Sequence, residues 1–131
     1  MPKISSNFKN RTFAQNLFME NEITSLNDLV DLVEKEKGLI AYFYSERCAP
    51  CVSLRPKVKQ MIDDEFRSIN LVYINSVHQP LIAAHFGVFA NPALIVFFEG
   101  KEFRRYSKYI SINELGGDIE RVYQMVFAEE I

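Results

Sequence analysis

Hydrophobic and polar positions along the chain switch repeatedly between a period of two and a period near 3.6. Residues 17–23 read as a short strand ending at Ile23, after which Thr24 and Ser25 offer a helix N-cap. Leu26, Leu29, Val30 and Val33 recur at helical spacing up to Gly38, which predicts a helix stopped at that glycine. Leu39–Tyr44 (LIAYFY) is a continuous apolar and aromatic run, the pattern of a strand covered on both faces. Leu54, Val58, Ile62 and Phe66 form one stripe of the next helix, and Pro56 inside it removes a backbone donor and is expected to kink it. Leu71–Ile74 predicts a second buried strand, and Pro80–Phe86 a short helix leading into Gly87. Ala93–Phe98 (ALIVFF) is a third apolar strand; Glu99-Gly100 makes a tight turn, and Glu102–Tyr106 pairs back as the second arm of a hairpin. Ile112, Leu115, Ile119, Val122 and Val126 share one face of a last helix, which Gly116-Gly117 weakens near its start.

The predicted order is β-α-β-α-β-α-β-β-α, an α/β sandwich with a mixed central sheet. Helical crossovers imply parallel neighbours for the first strands, and the Glu99-Gly100 turn implies an antiparallel pair. Met19, Met61 and Met125 fall on apolar faces and read as core. Residues 1–16 are polar and basic with Phe8 and Phe13 as isolated anchors; they read as an N-terminal extension packed on a domain spanning residues 17–131.

Composition removes several classes. The chain has 131 residues, 48% of them hydrophobic, with 11 Phe and 6 Tyr, too apolar for a disordered chain and long enough to bury a core without staples. A formal charge of −2 gives no broad footprint for nucleic acid. No run approaches the roughly 18 apolar residues of a membrane span, and MPKISSNFKN lacks the apolar stretch of a secretion signal. The expectation is a cytoplasmic, monomeric domain with neither nucleic acid nor membrane as partner.

Two cysteines, Cys48 and Cys51, form a Cys-x-x-Cys pair that admits three uses. Half of a zinc site would need further ligands; His78 and His85 are the candidates, at a spacing wider than usual. Inert structural thiols are a second use, and a redox pair is the third. Local electrostatics favours the third. Cys48 follows a buried strand and Ser45-Glu46-Arg47, and immediately precedes a helix, where unpaired N–H groups and the helix dipole stabilise a thiolate. Pro50 suits the first helical turn, where its missing N–H is not needed. Cys51, one turn in, faces the same side on the more buried flank. The roles that follow are attack by Cys48 on a substrate disulfide and resolution of the mixed disulfide by Cys51.

The chain resembles the thioredoxin family. The resemblance rests on CAPC after LIAYFY, on Pro56 five residues past Cys51, on Phe86-Gly87-Val88 leading to Asn91-Pro92, and on ALIVFF followed by Gly100; it covers roughly residues 20–128. It implies a thioredoxin-like three-layer α/β/α sandwich. It also implies thiol–disulfide exchange on protein substrates, with the Cys48–Cys51 disulfide as the only redox group, no metal, and a separate reductant for turnover. By resemblance Pro92 is the family's cis-proline beside the disulfide, and Asn91 presents its backbone to an extended substrate segment.

The family pattern is altered at several positions. Tyr42 stands where a buried Asp normally serves the resolving cysteine, and the Leu71–Tyr73 stretch lacks the usual Lys. Arg47 replaces an aromatic before Cys48, Ala49 replaces the Gly inside the motif, and Lys108 or Tyr109 replaces a loop Gly. Deprotonation of Cys51 then falls to water, to Tyr42 as a hydrogen-bond partner, or to Glu46, and Arg47 lowers the Cys48 pKa further by its charge. Lys101, Arg104, Arg105 and Lys108 form a basic cluster that reads either as a protected edge strand or as a surface steering an acidic protein. Phe89 is either a docking anchor or a residue that packs its loop. The alternative function is a protein-interaction or redox-sensing module on the same fold with little turnover.

Overall fold

Helix α1 (Leu26–Lys35) begins where the sequence offers a cap: the Ser25 hydroxyl accepts the backbone N–H of Asp28 at 3.3 Å. The computed structural model to which this helix belongs describes residues 21–128. The extension expected at residues 1–16, with Phe8 and Phe13, and also Met19, lie outside the described residues. Strand β1 (Gly38–Tyr44) follows, then α2 (Ala49–Glu65), β2 (Asn70–Asn75), α3 (Pro80–His85), β3 (Ala93–Phe98), β4 (Lys101–Ser107) and α4 (Ile112–Val126).

The sheet has four strands in the order β2-β1-β3-β4. β1 and β2 run parallel, joined by α2, while β1–β3 and β3–β4 are antiparallel. The central strands β1 and β3 read as unbroken apolar runs because helices cover both of their faces. Leu39, Ala41, Phe43, Val72, Ile74, Ile95 and Phe97 meet Leu29 and Leu32 of α1 and Ile82 of α3. Ile40, Tyr42, Tyr73, Leu94 and Val96 meet Leu54, Val58 and Ile62 of α2 and Leu115 and Ile119 of α4. The result is the expected three-layer sandwich with a mixed sheet.

Three details differ from the sequence reading. Of the strand expected at 17–23, the described part is a single parallel bridge from Glu22 to Tyr73; Asn21, at φ 58, turns the chain out of the extended region, and its side-chain amide donates to the Leu71 carbonyl at 2.9 Å. Helix α1 ends at Lys35 rather than at Gly38, with Glu36 already extended. Gly38 belongs to β1 and is needed for space, since a Cβ there would lie 3.0 Å from the Phe127 ring and 3.1 Å from Ile69. Met125 is exposed instead of buried, because it falls about a third of a turn off the Leu115–Ile119 stripe. Met61 is buried as expected and meets Gly116, where a Cβ would stand 3.1 Å from its sulfur; α4 runs through Gly116-Gly117 without a break.

β4 forms the sheet edge. A bulge between Val96 and Phe97 of β3 leaves Phe103 unpaired on β4, so the exposure of β4 does not simply alternate.

Candidate active site

The carboxyl end of β1 delivers the chain through Ser45-Glu46-Arg47 to Cys48, the N-cap of α2. Its sulfur accepts the backbone N–H of Cys51 at 3.2 Å, one of the four amides that a helix start leaves without intrahelical partners. Its carbonyl accepts the N–H of Cys51 at 3.1 Å and of Val52 at 3.3 Å, and Pro50 occupies the first turn. No acidic residue sits in that turn to oppose negative charge on the sulfur. Cys48 and Cys51 are joined by a disulfide with Cα atoms 5.3 Å apart. Cys51 is buried and Cys48 partly exposed, so an incoming group reaches Cys48 first. Arg47, Ala49 and Pro50 are exposed around it.

Tyr42 lies fully buried beneath α2, and its hydroxyl donates to the backbone carbonyl of Cys51 at 2.6 Å. Burial pushes that hydroxyl far above the ordinary tyrosine range, and the nearby Arg55 charge only partly opposes the push. A phenol so held does not take a proton from Cys51; it ties the first turn of α2 to β1. Its hydrogen bond goes to the Cys51 backbone carbonyl and not to the sulfur. Glu46 is exposed and faces His78 at 3.6 Å. His85 is exposed with its ring edge-on to Phe86 at 4.9 Å. Among the described residues no group of three or more His, Cys, Asp and Glu converges as metal ligands would.

The loop before β3 supplies the other wall. The Asn91–Pro92 peptide bond is cis, and the Pro92 carbonyl accepts the N–H of Lys108 at 2.9 Å. Asn91 is held through its side-chain oxygen, which accepts the Ser76 hydroxyl at 3.0 Å. Lys108 takes φ 66, a conformation that suits the glycine expected there. Phe89 and Tyr109 flank this loop with 89% and 97% of their surfaces exposed, so Phe89 does not pack its loop down.

The basic cluster on β4 is divided. Arg105 pairs with Glu102 at 2.7 and 2.8 Å and reaches the Gly87 carbonyl, and Arg104 lies 5.2 Å from the Phe103 ring.

The sequence reading missed a polar group under α2. Arg55, one turn beyond Cys51, stacks 3.7 Å from the Tyr73 ring centroid and 5.0 Å from that of Tyr44. It also pairs with Glu22 at 3.2 Å, and Glu22 accepts the Tyr44 hydroxyl at 2.8 Å. Burial and the adjacent Glu22 carboxylate raise the Tyr44 hydroxyl above its usual range. The available signal was parity: Tyr42 and Tyr44 are two apart on β1, and Tyr73 pairs with Tyr42 in register, so all three face α2.

Comparison with known proteins agrees with this geometry. The family model described as thioredoxin matches residues 21–121. The thioredoxin-like protein YdfQ of Bacillus subtilis is 29% identical over 111 residues, covering 82% of this chain and 98% of its own. The thioredoxin of Mycoplasma genitalium is 32% identical over 87 residues, covering 66% of this chain and 84% of its own. Among solved structures, Fasciola hepatica thioredoxin superposes with a TM-score of 0.69 at 24% identity, covering 77% of this chain and 97% of that one, a likeness of fold.

Proposed function

Because the chain belongs to the thioredoxin family and is a thiol–disulfide oxidoreductase of it, we propose that Cys48 is its attacking thiol and Cys51 its resolving thiol. In the reduced protein the Cys48 thiolate attacks one sulfur of a substrate disulfide and expels the other as a substrate thiolate. Cys51, after losing its proton, attacks the Cys48 sulfur, breaks the mixed disulfide and releases the second substrate thiol. Two electrons pass from the dithiol to the substrate, leaving the Cys48–Cys51 disulfide. Members of the family act on protein disulfides and are re-reduced by a separate reductant.

The observation that carries this reading is the position of Cys48 as N-cap of α2, its sulfur against the Cys51 N–H. Developing negative charge on that sulfur meets a fixed donor and the positive end of the helix dipole. Arg47 adds a nearby positive charge, and Ala49 and Pro50 add exposed apolar surface beside Cys48. Pro92 shapes substrate access, and Asn91, anchored by Ser76, offers its backbone to an extended segment. With Tyr42 committed to a carbonyl, the Cys51 proton passes to solvent or to the departing substrate thiolate. The Cys48–Cys51 pair is then the only redox group required. In this reading the protein works as a cytoplasmic monomer, one domain over residues 17–131 with an N-terminal extension. Among the described residues no helix is long and apolar enough to cross a membrane.

A dithiothreitol-coupled insulin reduction assay tests this reading. Wild type is expected to accelerate reduction and Cys48→Ser to lose that acceleration entirely; equal rates for the two would overturn the assignment. The state of Tyr42 favours one competing reading, an interaction or redox-sensing module that reacts once and resolves slowly. That reading is the outcome if Cys48 forms mixed disulfides but wild type does not turn over.

A further inference from the structure

The groove beside the start of α2 is lined by positive charge, while Glu46, exposed near Cys48, faces His78 instead. This groove of about 420 Å³ opens between the start of α2 and the loop after β4, with Pro50, Leu54 and Pro92 as its apolar floor and Tyr109 at its edge. Among the described residues its only charged lining is Lys57, from α2, and Lys108, from the loop. Neither has a carboxylate within 4 Å among the described residues. On the other side of Pro92 a cleft of about 370 Å³, containing Phe89, has Arg105 and Lys108 as its only charged lining among the described residues. Arg105 there is already neutralised by Glu102. Lys57 and Lys108, neither of them paired with a carboxylate among the described residues, thus both face the groove, which shares Lys108 with the second cleft.

A contrasting surface lies next to it. The cleft of about 570 Å³ between α2 and α4 carries Asp64, Glu65 and Glu120, with Lys57 on the rim that it shares with the groove. A negatively charged segment is repelled there and attracted to the Pro92 side, so the charge division favours the groove over the cleft between α2 and α4. Lys108 sits at φ 66, and its own N–H is bonded to Pro92, so the loop that carries its side chain is fixed to the site. Tyr109 and Phe89, the most exposed large hydrophobic residues among those described, stand on opposite sides of the same proline.

Resting on the assignment of Cys48 as attacking thiol, we propose that the preferred substrate is an extended protein segment carrying an Asp or Glu close to the attacked cysteine. That carboxylate pairs with Lys57 and Lys108, and an apolar side chain of the segment lies on Tyr109. The attraction acts on the encounter and on the ground-state complex, and added salt weakens it because the lysines are exposed.

The test uses Cys51→Ser, which stops the reaction at the mixed disulfide. Three disulfide-bearing peptides identical except for Asp, Asn or Lys two residues from the reacting cysteine are compared by the second-order rate of mixed-disulfide formation. At about 20 mM salt the Asp peptide is expected to react about five- to tenfold faster than the Asn peptide and the Lys peptide slower still; the ratio falls toward one by about 0.5 M. Adding Lys108→Gly, which suits the positive φ, or Lys57→Gln is expected to reduce the Asp/Asn ratio. Lys101→Gln, at the far end of β4, is expected to leave it unchanged. Equal rates for the Asp and Asn peptides at low salt, or a ratio insensitive to both lysine variants, would overturn the proposal while leaving the assignment of Cys48 standing. No mixed disulfide with any peptide would instead remove the assignment, and the proposal with it.

Discussion

The same strands build two different sheet faces. Toward α1 and α3 they present Leu39, Ala41, Phe43, Val72, Ile74, Ile95 and Phe97, side chains without a polar atom. Toward α2 and α4, the alternate positions of β1 and β2 present Tyr42 and Tyr44, whose hydroxyls meet the Cys51 carbonyl and Glu22, and Tyr73, whose ring face carries Arg55. Both faces are buried, so burial alone does not distinguish them. What does is the helix above. α2 starts at the cysteines, and its underside needs donors and a cation to fix the first turn and to match Glu22, whereas α1 and α3 need only a dry surface. The lower face accordingly contributes stability, and the upper face also holds the reactive turn in place.

Substitutions on the two faces should separate these effects. Phe43→Ala removes a fully buried ring from the dry face and is expected to cost about 3–5 kcal/mol in chemical denaturation. The pH profile of Cys48 alkylation in that variant should match wild type wherever it is folded; a displaced profile would break the division between faces. Arg55→Ala removes a half-buried cation stacked on two rings and leaves Glu22 with Tyr44. It is expected to cost about 1–2 kcal/mol, more than an exposed ion pair could account for, and a loss below about 0.3 kcal/mol would contradict the role given to the cluster.

The fold was legible because its signals are long and periodic. LIAYFY and ALIVFF identified the central strands, and the Leu115–Ile119 stripe fixed the packed face of α4. The candidate site was legible where chemistry is local, as at CAPC and Asn91-Pro92. The Arg55–Glu22–tyrosine group was not, because its members lie on α2, β1, β2 and the segment before α1, and only strand pairing brings them together. The division of the β4 basic cluster was hidden for a similar reason: the bulge that displaces Phe103 sets which residues of β4 face Gly87, and the pattern of β4 alone does not reveal it.

Tyr42→Phe sharpens the comparison further. The hydroxyl holds a carbonyl and does not take the Cys51 proton, so its loss is expected to cost about 1 kcal/mol while changing turnover at pH 7 less than about threefold. A hundredfold fall in turnover with unchanged stability would show that the hydroxyl acts in proton transfer.

The smallest effect is expected at Glu36, just before β1 and far from the cysteines. One of its oxygens accepts the side-chain N–H of Asn70, the other has no hydrogen-bond partner among the described residues, and burial raises its pKa above the ordinary carboxylate range. A carboxyl raised on folding binds its proton more readily in the folded chain than in the unfolded one. Its contribution to stability is therefore full at acidic pH, below the unfolded value, and is lost as pH rises through the folded value. Glu36→Gln should remove that pH-dependent loss and raise stability at pH 7 by up to about 1 kcal/mol. The check is thermal unfolding of both proteins from pH 4 to pH 8, and a variant curve that keeps the wild-type slope would contradict it.

The central claim is that the start of α2 makes Cys48 the reactive thiol. The most direct measurement is the rate of Cys48 alkylation by iodoacetamide in the reduced protein across pH, with Cys51→Ser to isolate the site. The N-cap geometry, with the Cys51 N–H against the sulfur and no acid in the first turn, requires an apparent pKa clearly below the ordinary thiol value of about 8.5. An apparent pKa at or above about 8.5 would contradict the account.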